Sequence, residues 1–172
     1  MRKLSMDELG RMSVEGFKAA DKNRLIIILE NIRSMHNVGS VFRTADAFLA
    51  EAILLCGYTP MPPHRDIHKT ALGATDTVNW LYFEDILSAF SELKKNNYCI
   101  YAVEQTTSSI PLHKFKYDPQ QRMAIILGNE VEGVSNAALS LCDGCIEIPQ
   151  QGMKHSLNVS IAASIVLWEL IG

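Results

Sequence analysis

The sequence predicts one α/β domain, a parallel sheet covered by helices on both faces. Three observations carry that expectation. Short, almost wholly apolar runs rich in β-branched residues recur at 24–30, 52–56 and 123–127, the pattern of strands buried on both sides. Segments of helical period alternate with them, the order that lays helices over a parallel sheet. The 172 residues, 48% of them hydrophobic, suffice for one sizeable core. No repeat, low-complexity tract or linker divides them.

Taken in order, residues 1–23 are polar, with one weakly amphipathic helix over 6–18, and read as a short N-terminal arm. The domain proper is residues 24–172. After the first strand, Val38, Val41, Phe42, Ala45, Phe48 and Leu49 recur at helical spacing and form one face. At about 100° per residue, Arg43 lies nearly opposite the centre of that face. Asn37 is expected as the helix cap. The stretch 58–66 holds three prolines and no apolar period, so it is expected as loop, followed by a short, small and polar segment at 69–75. Further strands are expected at 78–83 and 98–103, with an amphipathic helix over 84–95 between them. Its last-turn lysines suit the helix dipole. Residues 105–121 read mostly as loop. Ser135 can cap a short helix running to Leu141. A strand at 145–149 is stopped by Pro149, which cannot extend a ladder. Residues 157–170 are apolar on nearly every side, so this helix should be buried on more than one face, between the sheet and a further surface.

Bulk properties narrow the function classes. No apolar run reaches the roughly 18 residues of a membrane span. The first residues lack the uninterrupted apolar region of a secretory signal. Four cysteines fit free thiols in a reducing compartment, so the expected location is the cytoplasm. The net charge of -3 is mildly unfavourable for nucleic acid, but fifteen of the sixteen Lys and Arg precede residue 123, and an uneven basic surface can still bind phosphate.

Three polar clusters directly follow predicted strands: Asn37 with Arg43, Gly128-Asn129-Glu130, and Ser156 with Asn158. Ligands of open α/β sheets collect beyond the carboxyl ends of the strands, so the three are expected to converge. Singly, Asn37 and Ser156 equally suit helix caps, and Arg43 a solvated helix face. Residues 128–133 lack the Lys-Ser/Thr of a P-loop, and no GxGxxG follows the first strand. Cys142 and Cys145 have CxxC spacing without the second pair a structural zinc needs, and His64 and His68 lack a third ligand nearby. No metal is expected. No nucleophile elbow is visible.

In their order and spacing the three clusters resemble the SpoU-type RNA 2′-O-ribose methyltransferases of the SPOUT superfamily. The motifs run over residues 37–46, 126–135 and 148–162, and the resemblance extends from about residue 24 to the C-terminus. It implies what spacing does not show: a trefoil knot near the C-terminus, S-adenosylmethionine as cofactor, and a homodimer joined through the C-terminal helix. It implies cofactor contacts at Ala102, Val103, Glu104, Gly128, Ile148 and Leu157, largely through backbone groups. It assigns Arg43 to activation of the 2′-OH, with Glu130, Ser156 and Asn158 orienting Arg43 and the ribose and Asn37 supporting them. The implied partner is a structured RNA, tRNA ahead of rRNA. With only a short arm before the first strand, RNA recognition would fall to the catalytic domain, the arm and a second subunit. Arg33, Arg65, Lys69, Lys114 and Lys116 are candidate contacts. Two alternatives stay open: a non-catalytic RNA-binding module of the same fold, and a methyltransferase acting on a base nitrogen.

Overall fold

The computed structural model describes residues 1–5 and 7–172. Within them, the chain order is a 3-10 turn (Asp7–Leu9), α1 (Val14–Ala19), β1 (Asn23–Glu30), α2 (Met35–Ala47), β2 (Ala50–Cys56), α3 (Arg65–Ala71), α4 (Ala74–Thr77), β3 (Trp80–Phe83), α5 (Ile86–Lys95), β4 (Cys99–Val103), β5 (Ile110–Pro111), a second 3-10 turn (Leu112–Lys114), β6 (Met123–Leu127), α6 (Asn136–Leu139), β7 (Gly144–Glu147) and α7 (Val159–Ile171). Met6, in the expected arm helix, lies outside the described residues.

The strands form one sheet in the order β3-β2-β1-β6-β4-β7-β5, every pair parallel. Period-two alternation divides its side chains between two cores. Leu25, Ile27, Leu29, Ile53, Leu55, Ile125 and Leu127 face the first, with α1, α2, α3, α4 and α7. Ile26, Ile28, Leu54, Ile100, Ala102, Ala124 and Ile126 face the second, with α5 and α6. Continuous apolar runs were therefore the correct signal for doubly covered strands.

Several local expectations change. The cap of α2 is Ser34, whose hydroxyl accepts the Asn37 N–H at 3.3 Å, so Asn37 sits inside the first turn with its amide free for other work. Ser135 does cap α6, but that helix ends at Leu139. The segment at 69–75 is not merely polar: it holds the end of α3 and the start of α4 on either side of a turn at Leu72 and Gly73, with both helices held against α2 through Ile67, Ala71 and Ala74. The arm is anchored near its end, where Phe17 of α1 is buried and the Lys22 ammonium lies 4.0 Å from its ring centroid.

Helix α7 buries Val159, Ala163, Val166, Leu167 and Leu170. Its seam with α2 carries a Thr44–Ser164 hydroxyl contact of 3.0 Å and an edge-on Phe48–Trp168 pair at 6.1 Å. The side turned away from the buried face is largely bare: Ile161, Ile165 and, beyond its edge contact with Phe48, Trp168 are exposed, at helical spacing. No helix of the described residues is long and apolar enough to cross a membrane.

Candidate active site

The carboxyl ends of β4, β6 and β7 open onto a cavity of about 360 Å³, inside the range of small-molecule sites. Its walls come from the ends of β4 and β6, the loop 128–134, the segment after β7 and the start of α7. Val103, Glu104, Gly128, Glu130, Ile148, Ser156 and Leu157 line it. Ala102 does not; it is wholly buried in β4 against the second core. Asn37, Arg43 and Asn158 lie outside the lining.

The three polar clusters are nevertheless joined. The Asn158 amide donates to Asn37 Oδ1 at 3.1 Å, and the Asn37 amide donates to Glu130 Oε1 at 3.0 Å. Glu130 also accepts the main-chain N–H groups of Arg33 (2.9 Å) and Ser34 (3.0 Å). A carboxylate thus closes the start of α2 from across the sheet, where N–H groups lack helical partners and the dipole favours negative charge. At the other end of the chain of bonds, Asn158 caps α7 by accepting Ser160 N–H at 2.9 Å. Two helix starts and one cavity loop are tied by three side chains.

Burial by itself would raise the Glu130 pKa, but the Arg33 N–H, the Asn37 amide and the Ser34 N–H outweigh it and hold the group below its ordinary value of 4.5. A carboxyl with a depressed folded pKa stabilises the fold above its unfolded pKa and loses that contribution as pH falls through the folded value. Stability should therefore drop as pH falls below about 4.5, with Glu130 contributing to the loss. In urea melts, Glu130→Gln should remove roughly 1–3 kcal/mol at pH 7, the scale of hydrogen bonds to a charged group. The variant should also show a smaller loss between pH 7 and pH 3.5. An unchanged slope would refute this role.

Asn129, named within a motif but not among the expected site residues, organises the loop. It is only 8% exposed. Its amide donates to Asn31 O (2.8 Å) and Tyr58 Oη (2.9 Å), and its Oδ1 accepts Val131 and Glu132 N–H. A buried asparagine with every bond used was beyond the reach of hydrophobic period. The loop closes on itself through paired Asn129–Gly133 backbone bonds. A Cβ at Gly128 would stand 2.1 Å from the Gly133 carbonyl carbon and 2.2 Å from Val134 N, so only glycine permits this fold-back.

The electrostatics of the cavity are one-sided. Glu104, Glu130, Glu132 and Glu147 line it, and no Lys, Arg or His does. Glu104 is fixed by the N–H groups of Gln105 (2.8 Å) and Val134 (3.1 Å). Such a pocket suits a ligand carrying positive charge. Arg43 is exposed on α2, beside Thr44 of the α7 seam, and has no ion-pair or hydrogen-bond partner among the described residues. Ser156 is also exposed. Cys142 and Cys145 are free, and burial followed by the neighbouring Cys145 pushes the Cys142 thiol to about 12, far from a reactive thiolate. Among the described residues no cluster of three or more His, Cys, Asp or Glu could hold a metal.

Comparison with known proteins places this architecture. The chain is 32% identical to the tRNA (guanosine(18)-2′-O)-methyltransferase of Thermus thermophilus over 165 residues, 94% of this chain and 81% of the relative. It is 29% identical to a Staphylococcus saprophyticus protein assigned to the TrmH family of tRNA/rRNA methyltransferases, over 89% of this chain but only 60% of that protein's length. Among solved structures, the A. aeolicus TrmH/SpoU tRNA modifying enzyme superposes with a TM-score of 0.78 at 26% identity, covering 91% of this chain and 77% of that one. The AdoMet-bound rRNA methyltransferase of Sinorhizobium meliloti shares the fold, with a TM-score of 0.80 at 23% identity over 87% of this chain and 56% of that one. The sequence model described as the SpoU rRNA Methylase family matches residues 24–168, and the chain belongs to that family.

Proposed function

We propose that the protein transfers a methyl group from S-adenosylmethionine to the ribose 2′-OH of a structured RNA. The observation that carries the reading is the Asn158–Asn37–Glu130 chain of hydrogen bonds, which draws three motifs from distant parts of the sequence to the rim of one cavity. The cavity fits the donor in size, in its close-packed backbone at Gly128 and in its acidic lining. When bound, the donor supplies an electrophilic methyl on a sulfonium whose departing sulfur is neutral and needs no acid.

The chain's own residues then have three tasks. The 128–134 loop and the segment after β7 hold the donor, with Val103, Glu104, Gly128, Ile148 and Leu157 at the wall. Glu104 supplies a fixed negative charge there. A guanidinium offers N–H donors and no acceptor for a proton, so Arg43 serves as a phosphate clamp and stabilises the oxygen as its proton leaves to an RNA phosphate oxygen. Glu130, Asn37 and Asn158 keep the start of α2 and of α7 in register, and Ser156 stands at the cavity mouth for the ribose. Alignment supplies most of the rate in such a displacement. The last fifty residues would form the family's trefoil knot, and a cytoplasmic location would accord with an RNA substrate. The Thermus relative makes tRNA the first substrate to try.

The test is calorimetric titration with S-adenosylmethionine and S-adenosylhomocysteine, followed by nucleoside digestion of RNA incubated with protein and donor. One donor per chain and a 2′-O-methyl nucleoside are expected. Folded protein that takes up neither ligand would favour a non-catalytic RNA-binding module, and a methylated base the base-nitrogen alternative.

The bare stripe of α7 supports a homodimer. Ile161 is 52% and Trp168 66% exposed, and a second copy of the same apolar face would complete the burial that the helix's composition anticipates. Ile161→Glu should convert the dimer to monomer in sedimentation at micromolar concentration without loss of folded signal. A persistent dimer would place the interface elsewhere.

A further inference from the structure

We propose that Tyr58 is a rigid stacking platform for an unpaired base of the RNA, beside the nucleotide that is methylated; this rests on the RNA reading above. Tyr58 is 60% exposed, yet its hydroxyl and its backbone N–H are both held. Its hydroxyl accepts the amide of the buried Asn129 at 2.9 Å, and its own N–H donates to Asn31 Oδ1 at 3.3 Å. The residue before it, Gly57, has φ +65, and a Cβ there would stand 2.0 Å from Asn31 Oδ1. Gly57 O in turn accepts the Tyr82 hydroxyl at 2.9 Å. The residue after it, Thr59, is buried, with its hydroxyl donating toward Leu29 O and Cys56 O and accepting Ile32 N–H. The turn leaving β2 is therefore locked on both sides of an exposed ring.

A solvent-exposed tyrosine ordinarily keeps its hydroxyl in water and its ring mobile. Here the ring is ordered in advance, which lowers the entropic cost of using it as a contact. Its place is specific. Asn129, which holds the hydroxyl, precedes Glu130 in the cavity loop, and the same amide binds Asn31 O at the exit of β1. Arg33, exposed two residues further on, offers a cation for the phosphate backbone on that side. An aromatic face next to a cation is how unstacked RNA bases are held, independently of base identity.

The test uses a short RNA hairpin carrying 2-aminopurine in its loop, whose fluorescence falls when that base stacks on an aromatic ring. Wild-type protein and Tyr58→Phe should quench the probe, and Tyr58→Trp should restore quenching. Tyr58→Ala should bind the hairpin about tenfold more weakly, without quenching. Tyr58→Leu, which keeps apolar bulk but no π face, should behave as the alanine variant does. S-adenosylmethionine affinity should be unchanged throughout, since Tyr58 does not line the cavity. Quenching that survives in the alanine and leucine variants overturns the proposal. So does equal loss in Tyr58→Phe, or loss of donor binding in these variants, because the tyrosine would then be a structural pin. Wild-type protein that binds the hairpin without quenching overturns the platform but leaves the methyltransferase reading standing. Wild-type protein that quenches the probe but binds no donor overturns the methyltransferase reading, and with it the place of the platform beside a methylated nucleotide.

Discussion

Arg43→Ala is expected to lower kcat for methyl transfer by about 10²–10³-fold, the usual loss when one preorganised electrostatic group is removed from a transition state. Arg43 lies outside the cavity lining and has no partner among the described residues. Its removal should therefore leave the affinity for S-adenosylmethionine and the melting temperature unchanged. A solvated surface arginine would show no loss of transfer, and a structural one would cost stability; the proposed role requires the first to change and the second not. Arg43→Lys keeps the charge and loses the planar fork that grips phosphate bidentately. It should recover only part of the rate. Single-turnover kinetics at saturating RNA and donor separate this effect on chemistry from any effect on binding.

Gly128→Ala should have the opposite signature. The added methyl meets main-chain atoms of Gly133 and Val134 at 2.1 and 2.2 Å, and neither can rotate away as a side chain would. Overpacking of this kind costs roughly 1–3 kcal/mol, a fall in melting temperature of about 2–12 °C for a domain of this size. Because the displaced loop is itself a cavity wall, donor binding should be lost by calorimetry even where the protein stays folded. Donor affinity within about twofold of wild type, on the scale where tenfold is 1.4 kcal/mol, would show that the loop closes without the contact and that the cavity is formed elsewhere.

The sequence made the sheet legible because its strands are doubly buried. A continuous run such as 123–127 has no other easy explanation, and the structure places β6 on those very residues. The helix start was less legible, since Ser34 and Asn37 are both good caps and spacing alone does not choose between them. What decides is Glu130, some ninety residues away, which takes the Asn37 amide and leaves the cap to Ser34. Helices α3 and α4 were missed for a similar reason. Seven and four residues long, they are too short to be stable alone and owe their form to packing on α2. The site was legible as three motifs beyond three strands. The joining bonds, and Asn129 and Tyr58 beside them, depend on contacts that no local pattern encodes.

The position of β6 between β1 and β4 bears on how the molecule is made. Leu25 aligns with Met123 across the centre of the sheet, so the two central strands are separated by about a hundred residues of chain. During synthesis β1, β2 and β3 can associate early, yet one long edge of β1 stays unpaired until β6 emerges. Sheets built from such distant pairings assemble slowly, because loop closure precedes the contacts that reward it. The nascent chain therefore carries an open, strongly apolar strand edge for most of its time on the ribosome, and this protein should depend on holding chaperones more than a helical bundle of the same length does.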